Sequence, residues 1–241
     1  MKYNFSDWID SDKYIITGFE VIDMSEVIQE SSEVPGEKGY SDPDTQMKQI
    51  NTENWVTLDI KPYFISKIIM GAHVGTHIDA PMHVMDNGLS VDKIPNEYIA
   101  PVKIIDASPS LDADLLSSKL KKVNSESIIL IRGKSNYKMP DEYRMEIIRK
   151  KPKLVIFGDC VNVDGVEDTI KYLENGIPMI MGANQKSTEK LEDGDIVFAL
   201  PIKMCGIEAA PVRLFAIKLS LQEKVQNACS LNSFVLEDDD E

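Results

Sequence analysis

The sequence is poor in cysteine and in positive charge, and it contains no long apolar run. Its three cysteines, Cys160, Cys205 and Cys229, lie far apart and form no CxxC pair, so they support neither a disulfide framework nor a cysteine-based zinc finger. Lys and Arg number 26 against 40 Asp and Glu, and the formal net charge of −14 repels phosphate backbones and anionic lipids. No stretch approaches the roughly 20 apolar residues of a membrane span. We therefore expect a cytoplasmic protein without nucleic-acid or membrane partners.

Short β-rich runs alternate with amphipathic stretches along the chain, which is typical of the α/β class. We expect one mixed α/β domain over residues 1–236, with a central mixed sheet and a few packed helices. The polar segment 27–54 predicts a mobile loop, and the acidic run 237–241 predicts a disordered tail. The predicted strands cover residues 14–22, 55–60, 63–70, 102–105, 127–131, 154–157, 177–181, 196–200 and 212–219, and the predicted helices cover residues 113–123, 141–151 and 166–174.

Histidine is also scarce, and the few copies are clustered. The three histidines, His73, His77 and His83, fall within eleven residues that also contain Asp79. Imidazole and carboxylate groups are the ligands that zinc, manganese and iron take in proteins. The spacing predicts a divalent-metal site in the segment 71–84, with a purely structural polar turn as the alternative.

The residues between the histidines predict how such a site is built. Gly75 and Pro81 disfavour a helix across this segment. We expect instead a strand that ends near His73, followed by a tight turn through Gly75 and Thr76. Such a turn brings His77 back toward the same centre as His73, because glycine permits the backbone conformation that a tight turn needs.

The eleven residues HVGTHIDAPMH, from His73 to His83, resemble the HxGTHxDxPxH signature of the cyclase-like metal-dependent hydrolases, which include kynurenine formamidases and isatin hydrolases. Further segments resemble the same family, namely IDMS at 22–25, VIFGDCVNVD at 155–164, ALP at 199–201 and APVR at 210–213. The resemblance implies a cyclase-type β/β/α fold and hydrolysis of a small amide, formamide or lactam. It also implies a homo-oligomer, either a dimer or a tetramer.

The resemblance assigns roles to the residues of the motif. It implies a divalent metal held by His73, His77 and Asp79, with Asp79 and His83 as the catalytic residues. A bound cation can activate a water molecule and polarise the carbonyl under attack. In dinuclear members the aspartate bridges to a second metal, which also takes the third motif histidine, here His83.

The sequence departs from the dinuclear pattern at two positions. Dinuclear members carry a further histidine on the helix before a GxP turn and a glutamate on the strand after it. Matching Gly176–Pro178 to that turn places Thr169 or Ile170 at the histidine position and Met181 at the glutamate position. We therefore expect one zinc or manganese ion per site rather than two.

Three interpretations remain open from the sequence. In the first, a mononuclear hydrolase uses His83, or one of the carboxylates Asp164, Asp168 and Glu208, to move the proton. In the second, those carboxylates rebuild a second metal site. In the third, the protein binds a metal or ligand without catalysis and keeps the cyclase fold. Trp55 is a candidate for contact with a small-molecule substrate.

Overall fold

The computed structural model describes residues 14–16, 19–29, 50–57, 59–133, 139–158 and 166–220. These residues form eleven β-strands and four α-helices. The strands are β1 Tyr14–Ile16, β2 Phe19–Asp23, β3 Ile50–Val56, β4 Ile65–Met70, β5 His77–Asp79, β6 Tyr98–Ala107, β7 Ile128–Gly133, β8 Leu154–Gly158, β9 Met179–Ala183, β10 Ile196–Pro201 and β11 Ala209–Lys218. The helices are α1 Ala113–Leu120, α2 Asp141–Arg149, α3 Val166–Glu174 and α4 Gln185–Thr188.

Nine of the strands form one mixed sheet that closes on itself. The order is β1-β2-β11-β10-β6-β7-β8-β9-β5, and β5 also pairs with β11, so the last seven strands of that order form a barrel. Strands β6 to β9 run parallel, while β5, β10 and β11 pair in antiparallel fashion with their neighbours. The remaining strands, β3 and β4, form a separate two-stranded hairpin.

Alternation along the strands divides the apolar side chains between two cores. Side chains of one parity, such as Leu130 and Ile180, fill the barrel interior, whereas their neighbours Ile131 and Met179 pack outside it. This separation follows from the two-residue period of a β-strand. Helices α1, α2 and α3 connect the parallel strands and cover the outer core. The period of the strands therefore decides which residues meet inside the barrel and which meet outside it.

The sequence predictions agree with most of these elements. The prediction of a mixed α/β fold with a central sheet and a few helices is confirmed, and each predicted strand and helix overlaps an observed element. The strand predicted at 55–60 was misplaced, because the observed strand β3 ends at Val56 and residues 59 and 60 form a turn. The predicted strand 14–22 is instead two strands, β1 and β2, that pair in antiparallel fashion. The short helix α4 was not predicted.

The loop prediction for residues 27–54 was wrong at its end. Residues 50–54 belong to strand β3, which pairs with β4. Their sequence, INTEN, is polar and lacks the apolar alternation that signals a half-buried strand. Residues 30–49 and the predicted acidic tail lie outside the described residues. Within the described residues, no helix has the length and hydropathy needed to cross a bilayer.

The side chain of Tyr98 lies in the interior of the barrel. It is fully buried, and its hydroxyl has no hydrogen-bond partner among the described residues. Leaving a buried hydroxyl unpaired costs about 1–3 kcal/mol. We expect Tyr98→Phe to leave the free energy of unfolding unchanged or to raise it by up to about 1–3 kcal/mol, as measured by chemical denaturation. A loss of stability in this variant would show that the hydroxyl has a partner.

Candidate metal centre

The histidine motif forms a turn between two strands, as the glycine and proline positions predicted. Strand β4 ends at Met70, three residues before His73, and β5 begins at His77. Gly75 lies between them with a φ of +68°, a conformation that L-residues other than glycine rarely adopt. A Cβ atom at this position would also lie 3.0 Å from Cγ1 of Ile28. Glycine is therefore required both for the backbone conformation and for the close approach of Ile28.

Thr76 anchors this turn to three other parts of the fold. Its hydroxyl donates a hydrogen bond to the carbonyl oxygen of Gly182 at 2.7 Å and accepts one from the backbone N–H of Glu26 at 2.7 Å. Its carbonyl oxygen accepts a bond from the N–H of Val212 at 3.0 Å. The side chain of Asn184 in turn donates to the carboxylate of Glu26. The turn is thereby held against β9, β11 and the segment after β2.

Strand β5 directs His77 and Asp79 to the outside of the barrel. Ile78, between them, is buried in the interior core. Because β5 pairs on both edges, its neighbours in register are fixed: Met181 and Pro211 lie opposite His77, and Met179 and Ala209 lie opposite Asp79. Residues directly opposite one another share a face of the sheet. The two candidate ligands are therefore side by side on one face with apolar flanks.

Hydrogen bonds assign the protons of two imidazole rings. The Nδ1 of His77 lies 3.0 Å from the carbonyl oxygen of Gly75, and the Nε2 of His73 lies 3.2 Å from Oε1 of Glu208. A carbonyl oxygen and a carboxylate can only accept, so each of these nitrogens must carry a hydrogen. In the neutral rings, the opposite nitrogens, Nε2 of His77 and Nδ1 of His73, then present lone pairs.

Both of these nitrogens lie close to the same carboxylate oxygen. Oδ1 of Asp79 lies 3.0 Å from Nδ1 of His73 and 3.4 Å from Nε2 of His77. This oxygen is buried, and neither contact has the geometry of a hydrogen bond. Ligand atoms bonded to one tetrahedral zinc ion at about 2.0–2.1 Å are separated by about 3.3 Å. The two distances from Oδ1 of Asp79 are close to this value, so each imidazole nitrogen is placed relative to that oxygen as two ligands of one divalent cation are.

His83 completes the group on its exposed side. It ends a short 3₁₀ helix, Pro81–His83, and its ring centroid lies 4.6 Å from that of His73. Ligand-type atoms of His73, Asp79 and His83 all lie within 4.8 Å of one another. Unlike the buried His77 and Asp79, His83 is exposed. It is therefore placed to act either as a further ligand or on a molecule that approaches from solvent.

Charge and burial shift the pKa values of the candidate metal ligands. Burial lowers the pKa of His77, which favours the neutral ring that can bind a metal. Burial alone would raise the pKa of Asp79, but the three neighbouring imidazoles outweigh it and lower the pKa, so the carboxylate is ionised. Burial also acts to lower the pKa of His73, but the carboxylates of Asp79 and Glu208 outweigh it and raise the pKa. A proton on His73 therefore competes with a metal ion for the same place.

The structure places the other candidate residues as follows. It brings Glu208 into contact with His73, as described above. Asp164 lies outside the described residues, and only the backbone of Asp168 and Trp55 is described, within α3 and β3. Met181, at the position of the family's glutamate, is buried beside His77, and α3 contacts the 3₁₀ helix that carries His83.

Sequence reasoning did not identify the clamp around Thr76. It also did not identify that the IDMS and APVR segments meet: Arg213 donates to the carboxylate of Asp23 at 2.6 Å, and the backbone N–H of Met24 donates to Leu214. These contacts join residues about 190 positions apart, so no local pattern reports them. The only available signal was that both segments resembled parts of one family.

Residues 22–156, more than half of the chain, match the family described as "Putative cyclase". The protein belongs to this family. Kynurenine formamidase from Bacillus cytotoxicus is 30% identical to this cyclase-family protein over 167 residues, which are 62% of this chain and 78% of that protein.

Solved structures share the fold. Isatin hydrolase A from Labrenzia aggregata, bound to benzyl benzoate, aligns with a TM-score of 0.63 at 16% identity, covering 84% of this chain and 94% of that one. A potential metal-dependent hydrolase with cyclase activity aligns with a TM-score of 0.60 at 21% identity, covering 84% and 99%. At these identities the likeness shows the fold of the cyclase-family protein and not its substrate.

Asp79→Asn tests whether the buried oxygen is a metal ligand. The amide removes the negative charge toward which both lone pairs point, so zinc affinity should fall by more than the roughly 10–100-fold typical of losing an outer partner. Competition with a chromogenic chelator measures this affinity. Asp86→Asn is the matched control, because Asp86 is exposed in the loop after the motif, and it should bind zinc as the wild type does. Equal affinities in the two variants would contradict the site.

Proposed function

We propose that this protein is a metal-dependent hydrolase of a small amide, formamide or lactam, with one zinc or manganese ion held by His73, His77 and Asp79. The observation that carries the proposal is the convergence of two imidazole nitrogens, Nδ1 of His73 and Nε2 of His77, on the buried Oδ1 of Asp79. The family supports the reaction class, since relatives are named kynurenine formamidase and isatin hydrolase. The substrate itself is inferred only as a class.

Different residues of the chain have different roles in such a reaction. A divalent cation bound there lowers the pKa of a water molecule and polarises a carbonyl group. His77 and Asp79 orient the site, because β5 holds both on one face and the ring of His77 is fixed by Gly75. His83 faces solvent beside His73. An imidazole takes and gives protons in the physiological range, so His83 is the group that carries the proton to the leaving nitrogen.

One metal ion fits the surroundings better than two. Met181 is buried opposite His77, where dinuclear relatives are expected to have a glutamate. A thioether is a soft ligand that suits neither manganese nor zinc as a carboxylate does. Ile170, one of the two residues at the expected histidine position, offers no ligand atom. Two imidazoles and a carboxylate are a common catalytic zinc set and leave a position open for water.

We also propose that the protein forms a homo-oligomer through the β3–β4 hairpin. Adjacent residues on β4 point to opposite faces, yet Ile68 and Ile69 are 62% and 49% exposed. The connection before β4 exposes Tyr63 and Phe64 as well. An isolated two-stranded hairpin is at best marginally stable in water, and exposed apolar side chains on both of its faces point to a partner that covers them. A second copy fits this surface, because two such hairpins can cover each other.

The cytoplasmic location and the lack of nucleic-acid and membrane partners stay predictions. They rest on the cysteine pattern and on the net charge of −14.

His83→Ala tests the proton-transfer role. Wild-type protein should hydrolyse at least one compound in a panel of N-formyl aromatic amines, lactams and simple amides, and a chelator should abolish the activity until zinc or manganese is restored. Losing a general acid or base costs about 10²–10⁴-fold in rate, so the variant should show a kcat lower by about that factor while it retains metal. Stoichiometric metal without turnover of any panel member in the wild type would instead favour the non-catalytic binder.

Ile68→Asp tests the hairpin interface. A charge in the centre of the apolar surface should convert the oligomer to a monomer, as measured by light scattering coupled to size-exclusion chromatography. Leu115→Asp is the control, since Leu115 is similarly exposed but lies on α1, outside the hairpin. A monomeric wild type, or an oligomer unaffected by Ile68→Asp, would contradict the proposal.

A further inference from the structure

Glu208 lies beside the metal motif because the backbone holds it there. Its carbonyl oxygen accepts a hydrogen bond from the N–H of Ala80 at 2.8 Å, and the next residue, Ala209, pairs with Asp79 in the register of β11 and β5. On the other side, the carbonyl oxygen of Ile207 accepts from the N–H of Val91 at 3.0 Å, so the main chain of Glu208 is anchored both before and after its side chain. The carboxylate is 40% exposed and reaches Nε2 of His73 at 3.2 Å.

His73 needs an outside partner more than His77 does. His77 is on a strand, is almost fully buried, and donates from Nδ1 to the backbone of its own turn. His73 belongs to the irregular segment before that strand, and its side chain is 22% exposed. Among the described residues, the hydrogen bond to Glu208 is the one contact with proper geometry that a ring nitrogen of His73 makes. The orientation of this ring therefore depends on Glu208.

We propose that Glu208 is a positioning residue of the metal site, and that it fixes the orientation and tautomer of His73. The carboxylate accepts the Nε2 hydrogen and thereby keeps the lone pair of Nδ1 directed toward Oδ1 of Asp79. The inference rests on the proposed metal-dependent function and extends it to a residue outside the histidine motif. Carboxylates that accept from the outer nitrogen of a ligating histidine hold the ring in place and increase its strength as a ligand.

The charge of Glu208 supports the same role. A divalent cation carries two positive charges, and Asp79 alone supplies one negative charge among the three ligands. Glu208 supplies the second charge from one residue further out. The carboxylate does not need to touch the cation to do so, because its Oε1 is engaged by the ring of His73.

Two variants and a control separate positioning from direct ligation. In Glu208→Ala the ring of His73 loses its acceptor, so zinc affinity should fall about 10–100-fold. In Glu208→Gln the amide oxygen can still accept the Nε2 hydrogen, so most of the affinity should return. Glu126→Ala, in the turn before β7, removes an equal charge from an exposed site and should leave affinity unchanged. Chelator competition gives the affinities, and thermal unfolding without zinc checks that each variant folds.

Imidazole nitrogen NMR of zinc-loaded protein reads the tautomer directly. The chain has three histidines, so the spectrum contains three ring systems. His73 should show a zinc-bound Nδ1 and a slowly exchanging Nε2 hydrogen in the wild type and in Glu208→Gln, and this hydrogen should exchange rapidly in Glu208→Ala. Should the alanine variant fail to fold, the glutamine variant gives the decision.

Several results would overturn the inference. Affinity of Glu208→Ala within twofold of wild type would remove the positioning role. Affinity of Glu208→Gln as low as that of the alanine variant would show that the charge of the carboxylate, or its direct ligation, and not its hydrogen bond to His73 carries the effect. A wild-type His73 that binds zinc through Nε2 would place the hydrogen on the wrong nitrogen. A wild-type protein that binds no zinc or manganese would overturn the proposed function as well, whereas the other three results would leave it standing.

Discussion

Closure of the barrel depends on a strand of three residues. Strand β5 pairs with β9 on one edge and with β11 on the other, and among the described strands it alone pairs with both. The alternation of a strand then decides the chemistry, because Ile78 must point inward while its two neighbours point outward. The placement of His77 and Asp79 on one outer face thus follows from closure of the sheet.

The sequence predicted the local parts of this arrangement well. The α/β alternation could be predicted because apolar periodicity acts over a few positions. The turn through Gly75 could be predicted for the same reason. Three histidines and an aspartate within eleven residues indicated a metal site, since imidazole and carboxylate groups are typical metal ligands.

Longer-range features were out of reach. Nothing local shows that β11 is shared between β5 and β2, or that Ser25 bonds both backbone groups of Leu214 where the sharing occurs. Residues 50–54 of strand β3 were predicted as loop because their partner β4, and not their own polar sequence, makes them a strand. The bond from His73 to Glu208 joins residues 135 positions apart. Each of these features depends on contacts between residues that are far apart in the sequence, and no short segment of the sequence predicts them.

The candidate metal centre departs from the rule that buried polar atoms are hydrogen-bonded. Buried polar groups close to it, such as the hydroxyl of Thr76, are satisfied by hydrogen bonds. At Asp79, a buried carboxylate oxygen lies beside two imidazole nitrogens without a hydrogen bond of proper geometry, an arrangement that is unfavourable in a medium of low polarity unless a positive charge is shared among them. Sequences tend to break local rules at functional sites and to compensate elsewhere. Here the compensation is the dense hydrogen bonding of the turn around Thr76.

The shortness of β5 has a mechanical consequence. Its three residues close the barrel, and two of them, His77 and Asp79, are candidate metal ligands. The third candidate ligand, His73, lies in the turn that leads into β5. Whatever binds the native arrangement of these groups, and not the open chain, stabilises the closed sheet by mass action. A cation bound at the candidate site would therefore stabilise the closed barrel, so that the stability of the fold would depend on the concentration of metal.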